Sequence, residues 1–141
     1  MTRLLLVLVA VVLASGAGTA GAADRGTLTL RTSAYGKILF DGGGRALYAF
    51  TKDPLRRSVC AGACAKAWPP YVVKARPKAG AGVKPSLLGT TKRADGRSQV
   101  TYNGRPLYYY VGDPVGQVRC QNVSEFGGLW LVVRANGRLV R

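Results

Sequence analysis

One stretch of this chain occurs twice. The segment Gly44-Arg-Ala-Leu-Tyr-Ala-Phe-Thr-Lys-Asp-Pro54 returns as Gly104-Arg-Pro-Leu-Tyr-Tyr-Tyr-Val-Gly-Asp-Pro114, with an offset of 60 residues at every position. Cys60 and Cys120 keep that offset, while Trp68 and Trp130, each opening an apolar run, stand 62 apart. An internal duplication explains this register, and a unit repeated at such a period buries its apolar surface against its neighbour. Two halves this small share one core rather than fold separately.

Each half carries the turn chemistry of a β-meander. In the first, Leu28 and Leu30 alternate, Tyr35-Gly36 turns, Ile38 to Phe40 runs to Asp41-Gly-Gly-Gly44, and Leu47 to Thr51 returns. In the second, Thr90 to Arg93 precedes Asp95-Gly96, Gln99 to Tyr102 leads to Asn103-Gly104, and Pro106 to Val111 returns. Asp-Gly and Asn-Gly suit tight hairpins because glycine takes positive φ without steric cost. Three short strands per half are predicted, with a closing hairpin from Leu129–Val133 through Asn136-Gly137 to Val140. One short helix is predicted over Ala61–Ala67, stopped by Pro69-Pro70, and Lys74 to Pro85 reads as a linker. The expected class is mainly β: two related antiparallel β-meander halves, about 27–73 and 90–133, sharing one core with one short helix.

The N-terminus reads as an export signal. Arg3 precedes an apolar run from Leu4 to Ala14, and Ala20-Gly21-Ala22 supplies an Ala-x-Ala cleavage site; the run is too short to span a bilayer. Cleavage after Ala22 leaves residues 23–141 as one β-rich domain with no transmembrane segment. No cysteine follows the apolar run before Cys60, so the mature protein is expected to be secreted or extracytoplasmic without a lipid anchor.

Charge narrows the partners. The chain has 21 Lys and Arg against 6 Asp and Glu, and no histidine. Such a field favours anionic partners, here envelope polymers or phospholipid headgroups. The basic residues form no long run, the densest being Lys74-Ala-Arg76-Pro-Lys78 and Lys92-Arg93, and no nucleic-acid-binding motif accompanies them, so no specific nucleic acid is expected.

In a strand, residues two apart face the same side, so Tyr48 with Phe50 and Tyr108 with Tyr110 form paired aromatic faces. Asp53 and Asp113 follow three residues after the second aromatic, where proline ends each strand. These six residues are the candidate binding or structural motif. Their simpler reading is core packing for the aromatics and backbone N–H acceptance for the aspartates; a wet tyrosine hydroxyl could instead serve a ligand groove. Calcium needs several converging carboxylates, and a transition metal finds no histidine and at most three thiolates, so no metal and no cofactor are expected. The same inventory lacks the usual general base for a Ser or Cys nucleophile, leaving no catalytic residue to name. Three cysteines in an exported chain leave one unpaired, and the residues alone leave three pairings open.

Taken together, Tyr48-Ala-Phe50-Thr-Lys-Asp53, Tyr108-Tyr-Tyr110-Val-Gly-Asp113 and Cys60-Ala-Gly-Ala-Cys64 before Trp68-Pro-Pro70 resemble the bacterial secreted-repeat family of predicted lipoproteins, defined by Tyr-x-(Phe/Trp/Tyr)-x-x-Asp. The resemblance runs from about Ile38 to Val140. It implies envelope location and a repeated fold, carries no catalytic residues, and implies a Cys60–Cys64 bridge with Cys120 as the unpaired thiol. Cysteines at i and i+4 of a full helix hold their Cβ atoms about 5–6 Å apart, beyond the roughly 3.5–4.5 Å of a disulfide, so the bridge requires a turn at Ala61-Gly62-Ala63. The expected role is a non-enzymatic binding or structural module of the cell envelope. The alternative is a thiol-redox or cofactor-holding protein working through an unpaired cysteine.

Overall fold

The computed structural model describes residues 24–141; the export segment expected at residues 1–22 lies outside the described residues. The first half forms β1 (Thr27–Ser33), β2 (Gly36–Asp41) and β3 (Tyr48–Phe50), followed by α1 (Ala63–Ala67), β4 (Val72–Val73) and β5 (Lys78–Ala79). A 3-10 turn at Pro85–Leu87 leads to β6 (Leu88–Lys92), β7 (Ser98–Tyr102) and β8 (Arg105–Tyr108), then β9 (Val123–Glu125) and β10 (Gly128–Val132). The class is mainly β, as the duplicated meanders predict. No helix among the described residues is long and apolar enough to cross a membrane.

The strands make a seven-stranded sheet, ordered β4-β7-β8-β3-β10-β9 with β6 also on β7, and a three-stranded sheet, β2-β1-β5. At the centre of the larger one β3 pairs antiparallel with β8, Tyr48 opposite Tyr108, which joins the two copies of the repeat through the same residue of each. Backbone bonds spreading from this pair recur at the sequence offset with their partners exchanged. Arg56 N–H donates to Gly104 O (2.6 Å) while Gly116 N–H donates to Gly44 O (2.7 Å). Thr51 N–H reaches Leu129 O (2.9 Å) while Val111 N–H reaches Ala67 O (3.0 Å). An exchange of partners under one offset is what a two-fold relation through the Tyr48–Tyr108 pair produces.

The central strands are buried on both faces, and the period-2 alternation of side chains sorts them into two core layers. Tyr48, Phe50, Tyr108, Trp130 and Val132 join Ile38, Phe40, Trp68, Cys60 and Cys64 in one layer. Leu47, Ala49, Leu107 and Val133 join Leu28, Leu39, Tyr71, Val100 and Tyr102 in the other. Both layers draw on both halves, so neither repeat has a complete core of its own.

Three local expectations change. The helix starts at Ala63, not Ala61, because Gly62 stands at φ 58 and turns the chain. That turn brings the Cys60 and Cys64 Cα atoms to 5.3 Å, and the two cysteines form the disulfide. The segment from Lys74 to Pro85 is not a plain linker: Lys78–Ala79 adds a parallel strand beside β1. The closing hairpin forms through the Arg134 N–H to Arg138 O bond (2.9 Å), yet its return is held by a lone Val133–Leu139 bridge rather than a strand. Instead β10 pairs with β9, a segment that carries no strand signal in the sequence.

Candidate functional site

The six motif residues meet at the join between the halves, and each half completes the other. The Tyr48 hydroxyl donates to Asp113 Oδ2 and the Tyr108 hydroxyl to Asp53 Oδ2, both at 2.6 Å. The second oxygen of each carboxylate caps its own following turn: Asp53 Oδ1 accepts from Val59 N–H (2.8 Å) and Asp113 Oδ1 from Arg119 N–H (3.0 Å). The turn-capping role expected of the aspartates is therefore present, and with it a tyrosine partner from the opposite repeat.

Both carboxyls are buried, and burial pushes each above the ordinary carboxylate range. The tyrosine and backbone donors oppose that shift, helped by Arg93 at Asp53 and by Arg45 and Arg119 at Asp113. The hydroxyls of Tyr48 and Tyr108 are in turn pushed far up by burial and by the carboxylates they face. Such tyrosines stay protonated and serve as fixed donors.

The aromatic members stack across the same join. Trp68 and Trp130 lie parallel at 4.0 Å between centroids, Phe50 covers the outer face of Trp130 at 4.1 Å, and Tyr110 covers Trp68 at 4.9 Å. Tyr48 meets Trp68 edge-on at 5.2 Å, and Tyr108 meets Trp130 in the same way at 5.1 Å. Tyr48, Phe50 and Tyr108 are core residues with no open groove before them, and Tyr110 alone is half-exposed.

Several participants carry no motif signal. Glu125 binds both indoles, accepting from Trp68 Nε1 at its carboxylate (2.8 Å) and from Trp130 Nε1 at its carbonyl (3.2 Å). Arg93 donates to Ser58 Oγ (2.8 Å), Gln99 Oε1 (2.7 Å) and Cys60 O (2.7 Å), tying the second meander to the disulfide loop. Ser58 Oγ also meets the Tyr108 hydroxyl at 2.6 Å. Buried Asp41 accepts from the Tyr109 hydroxyl (2.8 Å), and Arg45 lies over the Tyr109 ring at 4.4 Å. In the sequence Asp41 reads only as the start of a glycine turn and Arg93 only as half of a basic pair before Asp95-Gly96, and neither position names its contact.

Cys120 is the free cysteine, partly buried against the aromatic layer. Its backbone N–H points to the Tyr48 hydroxyl at 3.4 Å. Burial pushes its thiol above the usual value, opposite to the shift that activates a nucleophilic cysteine.

A two-repeat β-module whose copies exchange a tyrosine–aspartate bond is the class that fold and site define. The chain belongs to a family described as a secreted repeat of unknown function, whose pattern matches twice, over residues 29–71 and 89–134. The first match runs from within β1 to just before β4, and the second from within β6 to just beyond β10. No match to a curated protein or to a solved structure is found.

Proposed function

We propose that this protein is a non-enzymatic binding or structural module of the cell envelope, exported by cleavage of residues 1–22 and working without a lipid anchor as the unit 23–141. The family supports export, and the Tyr-x-aromatic-x-x-Asp motif serves as the clamp between the halves rather than as a ligand site. One observation carries the binding part of this reading: three of the six carboxylates, Asp41, Asp53 and Asp113, are buried. They face internal donors, so the exposed surface holds many arginines and lysines against only Asp24, Asp95 and Glu125. That imbalance favours anionic envelope material through long-range attraction.

Retention of the mature protein on phosphocellulose and on unmodified cellulose, between about 10 mM and 1 M salt, tests the proposal. Retention on the anionic matrix alone, lost as salt rises, is the expected result. Absent or salt-insensitive retention on both would remove the electrostatic reading.

A further inference from the structure

We propose that the groove along the C-terminal hairpin beside Arg105 is a binding site for the phosphate groups of an anionic polymer. The inference rests on the basic-surface reading above and gives it a place and a ligand chemistry.

The groove, of about 450 Å³, is lined by Arg105, Arg134, Asn136, Arg138, Leu139, Val140 and Arg141, with no acidic residue among them. Its walls are held by backbone. Gly137, at φ 81, rests so close to Asn103 that an added Cβ would lie 2.5 Å from the Asn103 Cβ. Val140 is fixed at both ends, its N–H donating to Val132 O (3.0 Å) and its carbonyl accepting from Gln121 Nε2 (2.7 Å). The arginines thus project from an anchored frame, the preorganisation that ligand binding rewards.

Three of the four guanidinium groups make no bond to a described residue. None of the four arginines is in an ion pair among the described residues. Arg134 Nη1 donates to Tyr35 O (3.2 Å), which orients that fork, and the side chains of Arg105, Arg138 and Arg141 bond to no described residue. The counterpart of Arg105 in the first repeat behaves otherwise: Arg45 donates to Tyr110 O (3.0 Å) and covers Tyr109. Ala49 occupies in the first repeat the place of Tyr109 in the second, so Arg105 has no ring to cover and is left facing the groove.

The guanidinium groups around the groove repel each other, offset among the lining residues only by the α-carboxylate of Arg141, and an anion between them relieves that cost. Planar guanidinium forks match phosphate oxygens in pairs, which a lysine-lined surface cannot do. The volume lies within the roughly 300–1,000 Å³ usual for ligand sites, so more than a single oxyanion fits. A polymer is favoured over a lipid surface because the large exposed apolar side chains, Leu55, Val59, Val111, Val115 and Phe126, all lie outside the groove lining, and interfacial binding buries an apolar face.

The test titrates the mature protein with long-chain inorganic polyphosphate, with polyglutamate, and with phosphatidylglycerol vesicles. Polyphosphate is expected to bind about tenfold more tightly than polyglutamate. The double variant Arg105→Gln/Arg138→Gln should weaken it by about tenfold or more and lower the salt slope by about two. Lys66→Gln/Lys92→Gln removes equal charge outside the groove and should cost less than about threefold. Circular dichroism of each variant checks that the fold is kept. Equal losses in the two double variants would overturn the groove while leaving the basic-surface reading standing. Equal affinity for polyglutamate would overturn the choice of phosphate, and binding to vesicles without binding to polyphosphate would overturn the choice of a polymer. A wild-type protein that binds no polyanion would overturn both readings.

Discussion

Removing the Tyr48 hydroxyl probes the exchange between the repeats directly. In Tyr48→Phe the Asp113 carboxyl, already pushed up by burial, loses a 2.6 Å donor and keeps only the Arg119 N–H, while the Cys120 N–H loses its acceptor. A hydrogen bond to a charged, buried partner contributes about 1.5–3 kcal/mol, so a loss near 2 kcal/mol is expected. For a chain of this size that lowers the thermal midpoint by about 8 °C. The informative measurement is a pair of double-mutant cycles read by urea unfolding. Tyr48→Phe combined with Asp113→Ala should show coupling of about 1.5–3 kcal/mol, because the two side chains bond across the repeats. Tyr48→Phe combined with Asp53→Ala pairs residues of one motif that do not bond, and their effects should add within about 0.5 kcal/mol. Stronger coupling within the motif than across the repeats would refute the exchange.

Neither half should fold alone: a fragment ending near Gly80 lacks Asp113, Tyr108 and Trp130, and is expected to show no cooperative unfolding by circular dichroism until mixed with the complementary fragment. Gly62→Ala meets no atom within 4 Å of the new Cβ but must adopt φ 58 with ψ −125, so a loss of about 1–3 kcal/mol is expected from backbone strain alone, and an unchanged thermal midpoint would count against that account. The raised pKa values of Asp53 and Asp113 fix the sign of a pH effect. The folded state takes up these protons first as pH falls, so the contribution is fully present below the unfolded value, about 3.9, and is lost as pH rises through the folded pKa values. The stability of wild type relative to Asp53→Asn/Asp113→Asn, followed by chemical denaturation, should therefore fall as pH rises from about 4; a relative rise would contradict the burial argument.

How far the sequence could be read follows from what each residue's partner is. The meanders were legible because their signals are local: alternating apolar positions and an Asn-Gly pair, both at positive φ, specify hairpins without reference to the rest of the chain. The Cys60–Cys64 bridge was not legible in this way: the residues alone leave three pairings open, the family resemblance is what implies this one, and Gly62 supplies the turn it needs. Strand β9 and the parallel β5 were not, because Val123–Glu125 and Lys78–Ala79 become strands only by lying against β10 and β1. Propensity over two or three residues is too weak to show such pairing.

The motif itself marks where local reading stops. Tyr48 and Asp53 stand five residues apart and invite a local bond, yet the carboxylate of each motif is met by the tyrosine of the other. Spacing within one repeat is the same whether its two ends bond each other or their duplicates, so no pattern in a single copy distinguishes the cases. Two copies in register do constrain it, because an antiparallel pair that places Tyr48 opposite Tyr108 carries each strand's end past the start of the other. Asp53 and Asp113 then lie beyond the opposite tyrosine's backbone, on the side to which its ring points. The duplication is thus a requirement of the clamp as well as its origin: a lone repeat would bury a tyrosine hydroxyl and a carboxylate with neither partner supplied. Leaving such groups unpaired costs about 1–3 kcal/mol each, more where a charge is involved. The two repeats therefore act as one cooperative unit, which presents the arginine groove on a frame that no single copy could hold.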